Sequence, residues 1–388
     1  MTSKPDVVII GGGVAGCSTA YYLAREGVTS LVIERDGIGS QASGVAAGML
    51  APLAEASAPG PAFDLAYRSL RLHPEQAQRL REETGVDVQY AERPVLRLAF
   101  TEDEERDLLD KLAWQQRLEP ARMSKARLDV SWVRGDDLSR VEPLLGPGVR
   151  GAILSAREAQ VDAYRLSVAL AEAASRRGVT IRNGGVVGVR RDGDRMTGVV
   201  LATGEVVEGS TYLFAMGPWA SHCGEWLGLP VPVEPLRGQL VKLAAGPEIT
   251  PRHVLFHKGN YVMAKVDGSV LAGTTEERVG FDIRVTEEGR ASIAATVRRL
   301  APALEGAQVV EYRAGLRPIS ADGLPLLGAV PGWRNVCMAA GYGRKGILLS
   351  AATGQAMAGL IAHGRAPVSL DAFAPGRFLA AGAGRVKP

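Results

Sequence analysis

The sequence is poor in cysteine. Its 388 residues include only three, Cys17, Cys223 and Cys337, which are far apart and form no C-x-x-C pair. This spacing excludes a small fold held by disulfides and a C-x-x-C redox motif. We expect a reducing compartment, in which the three thiols are small buried side chains.

Long apolar runs and a one-sided charge are missing as well. No run reaches the roughly 20 apolar residues that a membrane helix needs, and no basic-then-apolar leader precedes the first predicted strand. The 45 Lys and Arg residues are interspersed with 42 Asp and Glu residues, which leaves a net charge of +3. We therefore predict a cytoplasmic protein with no membrane or nucleic-acid partner.

Two common catalytic signatures are also absent. The five histidines show no H-E-x-x-H or similar spacing, so we predict no metal site. No G-x-S-x-G motif is present, which argues against a hydrolase. What remains is an ordinary globular composition, 46% hydrophobic and 22% charged, in a chain long enough for two domains or one large one.

Glycine is concentrated just after the first predicted strand. The apolar residues 7–10 predict a buried strand, and Gly11, Gly13 and Gly16 follow it as G-x-G-x-x-G. In this motif the first glycine allows a tight turn, the second lets a pyrophosphate approach the backbone, and the third lets the helix pack on the strand. The pattern predicts dinucleotide binding, although by itself it does not choose between NAD and FAD.

The residues after this turn extend the predicted cofactor site. Val14 and Ala15 lie at the start of a helix, where free N–H groups and the helix dipole favour phosphate. A second apolar run ends in Glu34, whose carboxylate is suitably spaced to accept both ribose hydroxyls of an adenosine and would repel the 2′-phosphate of NADP. We assign its neighbour Arg35 to the same site.

Small residues dominate the loop of residues 37–52. So little side-chain bulk favours a close neighbour, either another element or a flat ligand, while a flexible surface loop is the alternative. Within it we predict cofactor contacts at five positions: Ser43, Ala46, Ala47, Gly48 and Met49.

The remaining chain alternates between helical and strand patterns. Helices are predicted at 63–83, 102–118, 162–177, 291–299 and 346–361. Strands are predicted at 86–90, 95–100, 179–181, 186–190, 196–201, 212–215, 240–243, 254–256, 261–265, 270–273, 309–313, 326–328 and 336–340, and the tail beyond 377 is expected to fray.

Four segments resemble the D-amino acid oxidase family of flavoproteins. They are the glycine fingerprint, the Ala-Ala-Gly-Met-Leu-Ala-Pro loop, Ala-Gly-Leu-Arg-Pro with Asp-Gly-Leu-Pro, and Gly-Tyr-Gly-Arg-Lys-Gly-Ile-Leu-Leu. The resemblance covers nearly the whole chain, is least distinct between about residues 92 and 150, and is greatest to the glycine oxidase branch of the thiamine pathway.

The resemblance implies an α/β fold with non-covalent FAD. It implies a Rossmann-like FAD-binding domain of the glutathione reductase type, made of residues 1–88, 150–225 and 312–388. The substrate domain, with an antiparallel sheet, would comprise residues 89–149 and 226–311. We also expect a homo-oligomer, a dimer or a tetramer.

The resemblance also implies the site residues. Arg317 would pair with the substrate carboxylate, Tyr261 would assist it, and Arg344 would line the site. A planar guanidinium suits this role because it grips a carboxylate with two parallel hydrogen bonds. Further cofactor contacts are assigned to Val187, Gly217, Trp219, Gly343, Arg344, Lys345, Gly346 and Ile347.

The chain departs from the glycine oxidase pattern in the wall of the substrate pocket. Gly259 stands where that pattern has a histidine, and Gly-Tyr-Gly-Arg at 341–344 replaces Gly-His-Phe-Arg. These changes bear on which small amine is preferred and leave the flavin chemistry intact.

The predicted function is FAD-dependent oxidation of glycine, sarcosine or a small D-amino acid. Hydride passes to the flavin, O2 reoxidises it to give H2O2, and the imine hydrolyses to keto acid and ammonia. No histidine or glutamate stands out as a base. Alternatives are a D-amino acid dehydrogenase of the same fold that passes electrons to a quinone or carrier, a flavin module without turnover, and an NAD-dependent dehydrogenase.

Overall fold

A computed structural model describes residues 4–118 and 129–379. The predicted fraying beyond residue 377 falls largely on residues 380–388, which lie outside that range. The fold contains parallel and antiparallel sheets with helices packed between and around them. The predicted α/β fold class is confirmed.

A six-stranded sheet forms the core around the N-terminal strand. Adjacent strands of this sheet are parallel, except that the edge strand Leu326–Ala329 runs antiparallel to Val336–Ala340. In pairing order its strands are Leu326–Ala329, Val336–Ala340, Thr211–Phe214, Val7–Ile10, Ser30–Glu34 and Thr180–Asn183. The strand Val7–Ile10 is buried along its whole length, as expected for a strand between two parallel neighbours.

An eight-stranded sheet forms the second layer and carries the predicted substrate residues. Its pairs are antiparallel except for Val254–His257 with Val95–Ala99. The order is Gln308–Ser320, Val233–Ala244, Ser269–Gly273, Asn260–Ala264, Val254–His257, Val95–Ala99, Gly151–Ser155 and Val130–Val133. Gly151–Ser155 and Gln308–Ser320 are therefore both strands of this sheet, although they do not pair with each other. The exact domain boundaries stay a prediction.

Two small antiparallel sheets complete the strands. One comprises Val186–Asp192, Arg195–Leu201 and Val206–Val207, in agreement with the predicted hairpins. The other comprises Met49–Leu50, Ala159–Gln160 and Ala91–Glu92. The α-helices are Val14–Arg25, Ala42–Val45, Pro52–Glu55, Pro61–Thr84, Glu102–Arg117, Gly135–Val141, Ala163–Arg176, Cys223–Leu227, Glu287–Leu300 and Gly346–His363.

The predicted strand at 86–90 is wrong. Asp87 accepts a hydrogen bond from the Gln89 backbone N–H, and Gln89 has a φ of 55°. This local side-chain hydrogen bond and the positive φ are incompatible with a regular strand, and strand pairing begins only at Ala91–Glu92. Three other predicted elements are too short. The helix at 291–299 begins at Glu287 because Thr286 caps it, the strand at 240–243 extends over Val233–Ala244, and the strand at 309–313 continues to Ser320.

The C-terminal helix Gly346–His363 lies in the core. Among the described residues it alone is long and apolar enough to cross a membrane, and 61% of that stretch is buried inside the fold. It packs against the first helix, Val14–Arg25, and the long helix Pro61–Thr84. Because most of the helix is buried, packing in the core explains its apolar composition.

His73 connects the long helix to the first turn of this C-terminal helix. Its Nε2 lies 3.0 Å from the Leu348 carbonyl oxygen. Burial lowers the pKa of His73 from 6.5 to about 4, while hydrogen bonds to the Leu348 and Ile347 carbonyls act in the opposite direction. The folded state therefore keeps His73 neutral where an unfolded chain would bind a proton.

We expect acid to destabilise the protein through His73. As the pH falls from 6.5 to 4, the unfolded state gains a proton that the folded state does not, so stability is lost by about 3 kcal/mol by pH 4. His73→Gln, which does not titrate, should lose correspondingly less. Urea unfolding at pH 7 and pH 4, with FAD in constant excess, measures both proteins. Equal acid losses in the two would contradict the assignment.

Candidate active site

Two connected cavities lie between the first helix, the small-residue loop and the eight-stranded sheet. We call them the inner cavity, with about 1100 Å³ of space partly open to solvent, and the outer cavity, with about 690 Å³. Both are lined by Gly13, Ala42, Ser43, Ala215 and Gly217, so they form one elongated cleft. An elongated cleft over a glycine-rich turn suits a dinucleotide.

The cleft brings together most of the predicted cofactor residues. In the inner cavity they are Gly13, Val14, Ala15, Ser43, Ala46, Ala47, Gly48, Met49, Gly217, Gly343, Arg344, Gly346 and Ile347. In the outer cavity they are Gly11, Gly13, Glu34, Arg35, Ser43, Gly217 and Trp219.

Three predicted cofactor residues do not line either cavity. Gly16 packs under the turn, and Lys345 directly precedes the C-terminal helix. Val187 is 55% exposed, whereas its neighbour Val186 lines the outer cavity. Because side chains alternate along a strand, the cavity face belongs to Val186.

The glycines of the fingerprint have separable roles. Gly11 turns with a φ of 112°, and a Cβ atom on it would lie 2.3 Å from the Ala215 carbonyl oxygen. A Cβ on Gly16 would lie 1.9 Å from the Gly11 carbonyl oxygen, so close helix packing requires glycine there. Gly13 faces the cleft and gives the helix no side-chain cap, which leaves room for phosphate at the helix start.

Glu34 lies at the end of its strand, as predicted. One carboxylate oxygen accepts from the Gly12 N–H at 2.6 Å and the other from the Asp36 N–H at 2.8 Å. The second oxygen also accepts from the Gly37 N–H at 3.4 Å, whereas the oxygen bound to Gly12 has one further lone pair for a hydroxyl in the outer cavity. Arg35 stacks over Trp219 at 4.5 Å and forms part of the same wall. These residues fit an adenosine.

Arg317 lies on the strand Gln308–Ser320 and points into the inner cavity. Its Nη1 donates to the Thr275 carbonyl at 3.0 Å and its Nη2 to the Thr274 hydroxyl at 2.5 Å. Within the described chain, no carboxylate is within ion-pair distance of this guanidinium. Burial, and secondarily the positive charge of Arg344, lower the pKa of Arg317. The group is thus a cation held in place without an anion.

Gly238 makes room for this guanidinium. It lies on the paired strand Val233–Ala244, next but one to Leu236, the partner of Arg317. A Cβ atom on Gly238 would lie 2.2 Å from the Arg317 Nη2. Sequence reasoning missed Gly238 and Thr274, since only strand register brings them to Arg317.

Tyr261 is buried in the same cavity. Burial raises the pKa of its hydroxyl, while the positive charges of Arg317 and Arg344 act against that rise. A Cβ atom on Gly273 would lie 3.1 Å from the Tyr261 hydroxyl oxygen. The hydroxyl therefore stays a neutral donor beside the two arginines at physiological pH.

Arg344 differs from Arg317 because it forms an ion pair with a carboxylate of the chain. Its Nη1 donates to Glu276 at 3.0 Å and its Nη2 to the Gly259 carbonyl at 2.6 Å. A Cβ atom on Gly259 would lie 2.4 Å from the Arg344 Nη1. A histidine at 259, as in the family pattern, would therefore require the Arg344 guanidinium to move, and the φ of 89° at this position also favours glycine.

The strand that carries Arg317 is hydrogen-bonded to the turn before the C-terminal helix, although two strands separate them in the chain. The Gly343 N–H donates to the Pro318 carbonyl at 2.7 Å, and Ile319 pairs with Tyr342 in an isolated bridge. The helix then starts at Gly346 without a side-chain cap, and both Gly346 and Ile347 line the inner cavity. Its N-terminus offers unpaired N–H groups to that cavity.

The three cysteines lie outside the site chemistry. All are buried, and burial raises the pKa of each to about 12, with Glu34 adding to the effect at Cys17. Among the described residues there is no cluster of His, Cys, Asp and Glu placed to hold a metal ion. The expectation of small buried thiols is confirmed.

Comparisons with known proteins agree with this geometry. The chain is 34% identical to glycine oxidase of Geobacillus kaustophilus over 98% of both chains, and the crystal structure of that enzyme superposes with a TM-score of 0.90 over 97% of this chain and 99% of that one. The iminodiacetate oxidase structure from Chelativorans sp. BNC1 is 28% identical, with a TM-score of 0.85 over 95% of this chain and 98% of that one.

A third relative is a longer protein. The bifunctional protein ThiO/ThiG of Trichormus variabilis is 31% identical over 96% of this chain, which spans 55% of that protein. The family model for FAD dependent oxidoreductases, DAO, matches residues 6–360. The predicted family and FAD cofactor are confirmed: this chain belongs to the DAO family of FAD-dependent oxidoreductases.

Proposed function

We propose that the protein oxidises the amine of a small amino acid, such as glycine, sarcosine or a small D-amino acid, with O2 as electron acceptor. The products would be H2O2 and an imine, which water hydrolyses to a 2-oxo acid and ammonia, or methylamine when sarcosine is the substrate. When bound, FAD supplies the hydride acceptor for this reaction. The proposal rests above all on Arg317, a half-buried, hydrogen-bonded cation in the cavity with no carboxylate within ion-pair distance among the described residues.

The side chains around Arg317 would orient the substrate. The Thr274 hydroxyl and the Thr275 carbonyl fix the plane of the guanidinium, so a carboxylate is held by two hydrogen bonds in a defined direction. The Tyr261 hydroxyl lies on the same wall and offers a further donor. A carboxylate anchored in this way places the α-carbon at a fixed depth in the cavity.

The fingerprint turn and Glu34 would hold the adenosine and phosphates of non-covalent FAD. The C-terminal helix start at Gly346 would face the ring system and favour negative charge there. A cytoplasmic location, a dimeric or tetrameric assembly and a role in thiamine synthesis are proposed with it, the last because a relative carries the name ThiO/ThiG.

A substrate panel in air and without oxygen tests the proposal. We expect the yellow protein to release one H2O2 for each glycine, sarcosine or small D-amino acid consumed in air. A dehydrogenase would instead reduce an artificial dye without forming peroxide. Dye reduction with no peroxide in air would overturn the oxidase assignment, and a colourless protein that reduces NAD would overturn the flavin assignment. Simple amines without a carboxylate serve as the matched control and should not react.

A further inference from the structure

The inner cavity contains one acidic side chain that sequence reasoning overlooked. Glu55 ends the short helix Pro52–Glu55, and among the described residues that line this cavity it is the one carboxylate. Its side chain has no hydrogen bond or ion pair with another described residue. Its charge acts on Arg317 and Tyr261, close to the proposed carboxylate anchor, and also on three groups that support its segment, Arg97, Lys111 and Glu158.

Two of the charged side chains in the cavity therefore lack a partner of opposite charge among the described residues. Arg344 is paired with Glu276, whereas Arg317 and Glu55 have no partner of opposite charge within ion-pair distance among the described residues. A free amino acid carries a carboxylate and an ammonium group about two bonds apart. One unpaired cation and one unpaired anion in the same cavity match such a zwitterion.

The backbone that carries Glu55 is held by an unusual set of buried polar side chains. Glu158 accepts from the Leu53 and Ala54 N–H groups at 2.5 and 3.1 Å. Lys111 donates to the Ala54 carbonyl at 2.9 Å and also to that of Ala56. Gln115 donates to the Leu53 carbonyl at 2.8 Å, and Arg97 to that of Ala54.

Holding a four-residue helix in this way is costly. Burial raises the pKa of Glu158 to about 8, and burial together with the charge of Arg97 lowers the pKa of Lys111 to about 6. Apolar side chains would fill the same space without that desolvation cost. A connected polar network does, however, fix one geometry of the segment, which is what a binding residue at its end requires.

We propose that Glu55 binds the ammonium group of the substrate and so restricts the enzyme to small zwitterionic amino acids. This inference rests on the proposed function, because it adds a second anchor to the one at Arg317. Glu55 would select the protonated amine on entry, and that amine must lose a proton to solvent, to which the cavity is partly open, before it gives up hydride. Glu55 would thus strengthen binding of the ammonium group. It would also raise the pKa of the bound amine, which makes loss of the proton less favourable.

The test compares two ligands that differ only in the amine. Acetate binds at Arg317 alone, whereas glycine would use both anchors. We expect Glu55→Gln to raise the glycine KM roughly 10-fold or more and to leave the acetate Kd, read from the FAD absorbance, within about twofold. It should also move the acid limb of kcat to lower pH, since the bound amine loses a stabilising charge.

Controls separate this inference from the proposed function. Glu92→Gln, on an exposed strand, should change neither constant, and Arg317→Ala should weaken both ligands. If Glu55→Gln weakens glycine and acetate equally, or leaves both unchanged with the same pH profile, Glu55 is not an ammonium anchor. If the wild type oxidises no amino acid, the proposed function fails, while the absorbance titrations with glycine and acetate still decide the role of Glu55.

Discussion

Arg317→Ala should lower kcat/KM for an amino acid substrate by roughly 10²- to 10³-fold, mostly through KM, while FAD stays bound. Removing one partner of a buried, hydrogen-bonded charge pair costs about 3–4 kcal/mol, which corresponds to this factor. FAD should remain because Arg317 donates its hydrogen bonds to Thr274 and Thr275 and makes none with the fingerprint turn. Steady-state kinetics and the flavin absorbance of the purified variant measure the two effects.

Arg317→Lys distinguishes charge from geometry. A lysine keeps the positive charge but loses the fork that makes two parallel hydrogen bonds, so we expect an intermediate loss. Wild-type kinetics in the alanine variant would remove Arg317 from the substrate site. Loss of FAD from that variant would point instead to a structural role for Arg317.

Gly16→Ala should give a protein that purifies with little or no FAD. A Cβ atom at this position would lie 1.9 Å from the Gly11 carbonyl oxygen and 3.3 Å from Ile9 Cγ2. The helix must then move away from the strand, and the turn that receives the phosphates moves with it. Overpacking of this kind costs about 1–3 kcal/mol, and the cofactor site lies at the displaced turn.

The absorbance ratio of flavin to protein and the Tm of the variant test this expectation. Gly188→Ala is the matched control, because the nearest atom to its added Cβ would be Val200 Cβ at an ordinary 3.9 Å. The control should keep its FAD and its Tm within a few degrees. A yellow Gly16→Ala protein with a wild-type Tm would show that the helix accommodates the methyl group without moving.

Local patterns in the sequence predicted the parts of the site that depend on local chemistry. The strand, glycine turn and helix at the N-terminus form because each residue type suits its own backbone position. Arg317 and Tyr261 followed from the family resemblance, and the structure brings both to one cavity. These positions could be found without knowing which strands pair.

What the sequence did not predict depends on register and on distant segments. Gly238 and Thr274 reach Arg317 only through strand pairing. Val187 was assigned to the cofactor, whereas Val186 faces the outer cavity, because one residue along a strand reverses the face. Glu55 was not recognised, since a four-residue helix has no periodic pattern and its buried supports come from distant elements.

The short connection between Arg317 and the C-terminal helix has a consequence for how such an enzyme changes its substrate. The hydrogen bond from the Gly343 N–H to the Pro318 carbonyl and the bridge between Ile319 and Tyr342 connect the strand of Arg317 to the turn before the C-terminal helix. We expect the two to shift together, so the depth at which the proposed anchor would hold an α-carbon is inherited with the scaffold. New specificities should therefore evolve at the independent walls, at Gly259 and in the segment that ends at Glu55, and engineering for bulkier amines should begin there.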